Sequence, residues 1–144
     1  MLEFRPYSYP RMVRPLAGID NSRMHKARIL IVDDSEIVRS LLVESLASAS
    51  EFEVWEAKDG IEALDKSREI NPDLILLDLA MPRMNGIEVA SILKASAPAI
   101  KIVIFTMYPE TISKALASAL GVDLVLSKPN GMSQVLSHVK TLLA

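Results

Sequence analysis

The sequence predicts an α/β fold in which five βα units build a doubly wound parallel sheet. Short apolar runs rich in β-branched residues alternate with longer amphipathic stretches. The five predicted strands cover residues 28–32, 52–57, 74–79, 101–106 and 124–127. The first, third and fourth runs are nearly continuous Ile, Leu and Val, which is typical of strands covered on both faces. We therefore expect these three strands at the centre of the sheet.

The segments between the strands show the apolar stripes and end signals of helices. The first stripe consists of Ile37, Val38, Leu41, Leu42 and Leu46. The second stops at Asn71-Pro72, the third begins after Asn85-Gly86, and the fourth, over residues 112–120, stops at Gly121. The last carries Val135, Leu136, Val139, Leu142 and Leu143 on one face. A (βα)5 domain accounts for this pattern, and we expect no attached output module.

Composition narrows the class of protein. The net charge of −2 gives no reason to expect binding to nucleic acid or to a membrane. Residues 1–26 carry five basic and two acidic side chains and three prolines, and we interpret them as a basic, disordered arm or docking tail preceding one domain over residues 27–144. The absence of cysteine, of a membrane-spanning apolar run and of a signal peptide predicts a cytoplasmic protein.

Polar side chains stand at the ends of four predicted strands, where ligands bind in an open parallel sheet. The first strand leads into Asp33 and Asp34, the third into Asp78, the fourth ends at Thr106, and the fifth leads into Lys128. If these strands are neighbours, three carboxylates, a hydroxyl and an ammonium group converge on one patch. The local sequence does not establish that they are neighbours.

Three carboxylates in one patch need a counter-charge. Two negative charges roughly 5 Å apart repel each other by about 3 kcal/mol at an effective dielectric constant of about 20. Mg²⁺ supplies the counter-charge and prefers oxygen ligands, so we predict a magnesium site there. One carboxylate, Asp78, then acts as a nucleophile that forms an acyl phosphate. Lys128 neutralises the phosphoryl group, and the Thr106 hydroxyl donates a hydrogen bond to it.

Each candidate also has a structural interpretation. Asp33 or Asp34 after a strand is often the N-cap of the next helix, a role that Ser35 also fits. Lys128 fits an ordinary surface lysine. Asp78 is harder to explain structurally, because an acid that directly follows four apolar strand residues is partly buried, and burial without a partner is costly.

The residues resemble the response-regulator receiver domain of two-component signal transduction, in the CheY-like superfamily. The resemblance covers roughly residues 26–144 and rests on four motifs in order: Ile31-Val32-Asp33-Asp34-Ser35, residues 73–82 with Asn85-Gly86, Thr106, and Gly121 through Lys128-Pro129. It implies a flavodoxin-like fold with strand order 2-1-3-4-5. It also implies that Asp33, Asp34, Asp78 and the Ala80 carbonyl hold Mg²⁺.

The same resemblance implies a phosphorelay function. Asp78 would accept phosphate from a histidine kinase, a phosphotransfer protein or a small phosphodonor, with Thr106 as the switch hydroxyl and Lys128 as the phosphoryl contact. Such a domain is not an enzyme beyond promoting its own phosphorylation and dephosphorylation. It would signal through the face around the fourth helix and fifth strand, over residues 107–126, to a separate protein target or by forming a homodimer.

Two positions depart from the family pattern. Val125 stands where many members have Tyr or Phe. The aromatic side chain that reports activation in the family is therefore missing, and the sequence does not establish how phosphorylation is coupled to the output face. Met107 stands where a small residue is common, and its thioether could cover the Asp78 pocket and slow both phosphorylation and dephosphorylation. Tyr108 remains a candidate aromatic contact on the fourth helix.

Two other functions compete with the phosphorylated receiver. A haloacid dehalogenase-type phosphotransferase also uses an aspartate and Mg²⁺, but its signature is Asp-x-Asp after the first strand, whereas Asp33 and Asp34 are adjacent. The second alternative is a receiver-like module that binds a partner without being phosphorylated. Met107 and Val125 keep this alternative open.

Overall fold

The computed structural model describes residues 25–144, apart from the side chains of residues 129 and 130. The arm predicted over residues 1–26 lies outside the described residues except for its last two positions. Within the described part, no helix is long and apolar enough to cross a membrane.

Five parallel strands form a single sheet in the order β2-β1-β3-β4-β5. The strands are β1 (Ala27–Val32), β2 (Phe52–Ala57), β3 (Leu74–Leu77), β4 (Lys101–Thr106) and β5 (Leu124–Ser127). The predicted strand order is confirmed, and the three most apolar strands are central as expected. The third strand is two residues shorter than predicted, because the chain turns after Asp78 and the Leu79 carbonyl accepts the N–H of Gly86 instead.

The helices are α1 (Glu36–Ala47), α2 (Gly60–Ile70), α3 (Gly86–Ser96), α4 (Lys114–Leu120) and α5 (Val135–Leu143). Short helical turns occupy Pro109–Thr111, Lys128–Gly131 and Met132–Gln134. The fourth helix begins two residues later than predicted. Ile112 has an extended backbone, and the Ser113 side chain caps the helix by accepting the N–H of Leu116.

Both faces of the sheet are covered by helices. One core joins the sheet to α2, α3 and α4, and the other joins it to α1 and α5. Alternate residues of the central strands enter the two cores, so Leu30 and Ile75 lie in the first and Ile31 and Leu76 in the second. Because both faces are filled, the strand ends are left as the place for a site.

The predicted apolar stripe of α1 is wider than its packed face. Leu42 and Leu46 are buried, but the side chains of Ile37 and Leu41 are 74% and 48% exposed. The five residues predicted to form one stripe lie on one helix, but the packed part of that stripe excludes Ile37 and Leu41.

Candidate functional site

The carboxyl ends of four neighbouring strands bring the predicted site residues to one edge of the sheet. Leu77, the last residue of β3, pairs with Val32 of β1 on one side and with Ile104 of β4 on the other. Thr106 of β4 pairs with Ser127 of β5. The residues that follow these strands therefore emerge side by side.

Three carboxylates meet at this edge. Asp33, Asp34 and Asp78 each offer one oxygen, and these oxygens all lie within 4.8 Å of one another. Asp33 and Asp78 are only 1% and 4% exposed, whereas Asp34 is exposed to solvent. The site is therefore a pocket with two buried acids and one acid at its mouth. An all-oxygen donor set with an open side suits a hard divalent cation such as Mg²⁺.

Local backbone geometry leaves the first two carboxylates available. Ser35 is the N-cap of α1, because its Oγ accepts the N–H of Val38 at 3.2 Å. The interpretation of Asp33 or Asp34 as the cap is therefore wrong. The Oδ1 atom of Asp33 instead accepts the N–H of Ser35 at 2.9 Å, which orients the carboxylate toward the pocket.

Lys128 reaches into the pocket from the residue after β5. Its Nζ lies 2.8 Å from Oδ2 of Asp33 and 3.4 Å from Oδ2 of Asp78. The Lys128 side chain is 12% exposed, so the interpretation of Lys128 as an ordinary surface lysine is wrong. One ammonium group thus bridges the two buried carboxylates.

The buried charges shift one another's protonation. Burial raises the pKa of Asp78, and the negative charge of Asp33 raises it further, while Lys128 only partly opposes the shift. Burial alone would lower the pKa of Lys128. Its contacts with Asp33 and Asp78 outweigh burial and hold the pKa of the ammonium above its ordinary value. Both directions follow from two buried carboxylates that share one ammonium group.

The loop after β3 presses closely against Asp78. The N–H of Ala80 lies 3.4 Å from Oδ1 of Asp78, and the N–H of Gly86 donates to the Leu79 carbonyl. A Cβ atom at Gly86 would lie 2.3 Å from the backbone oxygen of Asp78. Only glycine fits there, and α3 begins at this contact, capped by Asn85 and Glu88.

Thr106 stands at the same edge but its hydroxyl is turned to its own loop. The Thr106 side chain is fully buried, and its Oγ1 accepts the N–H of Tyr108 at 3.0 Å. Within the described residues 25–144, this hydroxyl makes no hydrogen bond to Asp78 or Lys128. Met107 and Tyr108, which follow it, are both exposed.

Two arginines, Arg39 of α1 and Arg83 of the loop after β3, were not singled out from the sequence. Arg39 donates to the backbone oxygen of Asp33, and Arg83 forms an ion pair with Asp59. An isolated arginine on a helix or in a loop gives no signal of such a contact. Asp59 before Gly60 has the pattern of a helix N-cap, which the structure shows it to be.

Comparison with known proteins identifies the family. Residues 29–140 match the family model described as response regulator receiver domain. The alkaline phosphatase synthesis transcriptional regulatory protein PhoP of Bacillus subtilis is 38% identical over 116 residues, which are 81% of this chain and 48% of that protein. Response regulator protein VraR of Staphylococcus saprophyticus is 36% identical over 114 residues, 78% of this chain and 54% of that protein. The chain spans about half the length of these relatives.

Two solved structures share the fold of this chain, which covers almost the whole of each of them. Response regulator protein TrrA of Thermotoga maritima, in complex with Mg²⁺ and BeF, has a TM-score of 0.72 at 34% identity, covering 81% of this chain and 98% of that one. The response regulator domain of Thermotoga maritima CheB has a TM-score of 0.72 at 30% identity, covering 81% and 92%. Receiver domains are signalling modules rather than classical enzymes. By sequence and by fold, the chain belongs to the response regulator receiver domain family.

Proposed function

We propose that this receiver domain is phosphorylated on Asp78 in a reaction that needs Mg²⁺. The observation that supports the proposal is the convergence of Asp33, Asp34 and Asp78 with Lys128 at the strand ends. Asp33, Asp34 and Asp78, together with the Ala80 carbonyl, would hold the ion. The relative TrrA was solved with Mg²⁺ and BeF, which is consistent with an ion at such a site.

The roles of the residues follow from their charges. An oxygen of the Asp78 carboxylate forms the new bond to phosphorus while the bond from phosphorus to the donor's leaving group breaks. Lys128, already 3.4 Å from Asp78, neutralises negative charge on the transferred phosphoryl group. When held by these carboxylates, Mg²⁺ would supply positive charge that reduces their repulsion of the incoming phosphoryl group. The domain would promote only its own phosphorylation and dephosphorylation.

Thr106 couples the pocket to the surface in this proposal. Its oxygen accepts a hydrogen bond from Tyr108, so its own hydrogen is available for donation to a phosphoryl oxygen. Movement of the hydroxyl toward Asp78 would draw on the loop that leads into α4 and shift its population of conformations. The face over residues 107–126 includes a groove of about 690 Å³ between α4 and β5, with Ile112, Ala117 and Val125 in its lining.

The partners and location remain part of the proposal. The phosphodonor would be a histidine kinase, a phosphotransfer protein or a small phosphodonor in the cytoplasm, and the reader a separate protein or a second copy of this chain. A net charge of −2 offers no support for direct binding to nucleic acid.

Intact mass measurement tests the phosphorylation. With Mg²⁺ and acetyl phosphate, the wild-type chain should gain the mass of one phosphoryl group, and the Asp78→Asn variant should gain none because it lacks the nucleophile. Asp65→Asn, which alters an exposed carboxylate of α2, serves as the control and should be modified like the wild type. An unmodified wild-type chain, also after incubation with histidine kinases, would favour the module that binds a partner without phosphorylation.

Truncation of Met107 should accelerate the site. Met107 directly follows Thr106, and its flexible side chain would limit the entry of donor and hydrolytic water. Met107→Ala should raise the rates of phosphorylation and dephosphorylation a few-fold, as followed by mass over time. Leu116→Ala removes another exposed apolar side chain from the same region and should change neither rate. Unchanged rates in Met107→Ala would refute the gating role.

A further inference from the structure

The β2–α2 turn, residues 56–60, includes the end of β2 and the first residue of α2 and contacts both loops that carry the proposed metal ligands. β2 is an edge strand, and none of its residues belongs to the acidic pocket. Two carboxylates nevertheless lie at its carboxyl end, Glu56 near the end of the strand and Asp59 at the N-cap of α2. Glu56 forms an ion pair with Arg39 of α1, the helix that follows the first site loop. Asp59 forms an ion pair with Arg83 of the loop after β3.

Arg39 connects Glu56 to the first loop. Its Nε lies 3.0 Å from Oε1 of Glu56, and its Nη1 donates to the backbone oxygen of Asp33 at 2.8 Å. The N–H of Asp33 donates a second hydrogen bond to β2, to the carbonyl of Ala57 next to Glu56. The backbone of Asp33 is therefore held to β2 from both sides. Since Arg39 is mostly buried, its guanidinium has little freedom to leave this position.

Arg83 connects Asp59 to the second loop. Its Nη2 lies 2.5 Å from Oδ2 of Asp59, which is buried and also accepts the N–H of Glu62. The backbone of Arg83 is in the left-handed region, with φ of 69°, which is uncommon for a residue other than glycine. The Arg83 side chain is well exposed, whereas the Asp59 side chain that it contacts is nearly buried. Met84 packs against Gly60, so the loop has a second contact with the same turn.

We propose that the β2–α2 turn acts through Glu56 and Asp59 to set the positions of the two loops that hold the cation. Arg39 and Arg83 are then positioning residues, which act on the pocket through the backbones of Asp33 and of the loop after Ala80. This inference rests on the proposed Mg²⁺ site. Partners that orient metal ligands contribute substantially to affinity, although they do not touch the ion.

Mg²⁺ titration by calorimetry tests the inference on the full chain. Arg39→Gln should raise the Kd for Mg²⁺ roughly tenfold, because Asp33 loses the group that fixes its carbonyl. Asp59→Asn should raise it several-fold, because asparagine still caps α2 but no longer pairs with the charge of Arg83. The control is Arg68→Gln, which breaks the ion pair of Arg68 with Asp65 on α2, where both side chains are well exposed. It should bind Mg²⁺ as the wild type does.

Amide hydrogen exchange without Mg²⁺ provides a readout that does not depend on the cation. Faster exchange at residues 33–35 in Arg39→Gln and at residues 80–86 in Asp59→Asn, with the rest of the sheet unchanged, supports a positioning role. Kd values and exchange rates equal to those of Arg68→Gln would overturn it. If the wild type itself bound no Mg²⁺, the proposed function would fail, and the exchange rates alone would decide whether the turn positions the loops.

Discussion

Lys128→Met is expected to destabilise the metal-free domain by about 3 kcal/mol, because it leaves two buried carboxylates facing each other without a cation. Lys128 is the bridge between Asp33 and Asp78, and both acids are almost inaccessible to water. Methionine preserves most of the side-chain volume, so the loss reports on the charge rather than on packing.

Urea unfolding at neutral pH measures this effect. Lys140→Met changes an exposed lysine of α5 and should leave the unfolding free energy within about 0.5 kcal/mol of the wild type. Added Mg²⁺ should restore part of the stability of Lys128→Met, since the ion takes over the counter-charge. A variant as stable as the wild type in the absence of metal would show that the carboxylates do not need the ammonium group.

The pH dependence of the same variant has a defined sign. The pKa of Asp78 is raised in the folded state, so the folded protein holds its proton at pH values where the unfolded chain has lost it. Asp78 thus contributes stability at low pH that is lost as the pH rises through the raised pKa. Without Lys128, which lowers the pKa of Asp78, that loss should be larger and should extend to higher pH. Repeating the urea unfolding across that range checks the sign.

Gly86→Ala is expected to lower the free energy of unfolding by about 3 kcal/mol or more and to disturb the position of Asp78 in the acidic pocket. The added Cβ would lie 2.3 Å from the Asp78 carbonyl oxygen and 3.0 Å from Cα of Leu79, and both are backbone atoms that cannot rotate away. The cause is steric, because the φ of Gly86 is not positive. Relief requires α3 to move away from the strand end that carries Asp78.

Gly131→Ala is the matched control for this substitution. Its Cβ would lie 3.2 Å from the side chain of Leu126 and 3.3 Å from that of Phe105, which can shift by a few tenths of an ångström. Thermal unfolding should therefore show a much smaller loss for Gly131→Ala than for Gly86→Ala. Similar melting temperatures for Gly86→Ala and the wild type would mean that the loop accommodates the methyl group without strain.

The sheet and the acidic part of the pocket were predictable because each depends on a regular pattern. Buried parallel strands are continuous apolar runs, and their carboxyl ends meet at one edge, so Asp33 and Asp78 could be assigned to that edge. That their strands are neighbours followed only from the strand order that the family resemblance implied, and the pairing of β1 with β3 confirms it. The direction of the Thr106 hydroxyl was not predictable, because a hydroxyl can rotate toward its own loop as readily as toward a neighbouring strand.

The contacts of Arg39 and Arg83 could not be predicted from the sequence either. Each joins residues that are distant in the chain, and a long side chain has many possible partners within reach. The exposure of Ile37 shows a related limit. An apolar stripe indicates which residues can face the core, whereas the width of the contact is set by the sheet and by the neighbouring helix.

Few side chains of α4 are buried against the sheet, and this bears on how much energy is needed to displace the helix. Ala117 is the one buried residue of this seven-residue helix, and Ile112 is the buried apolar anchor just before it. Leu120 adds a partly buried contact with the same core. An element with so few buried side chains is expected to open locally at lower cost than the central strands do. A single new hydrogen bond, worth about 1 kcal/mol, would change the balance between the packed and the opened helix about fivefold. In the proposed function, one modified side chain would shift the population of this segment while the sheet stays intact.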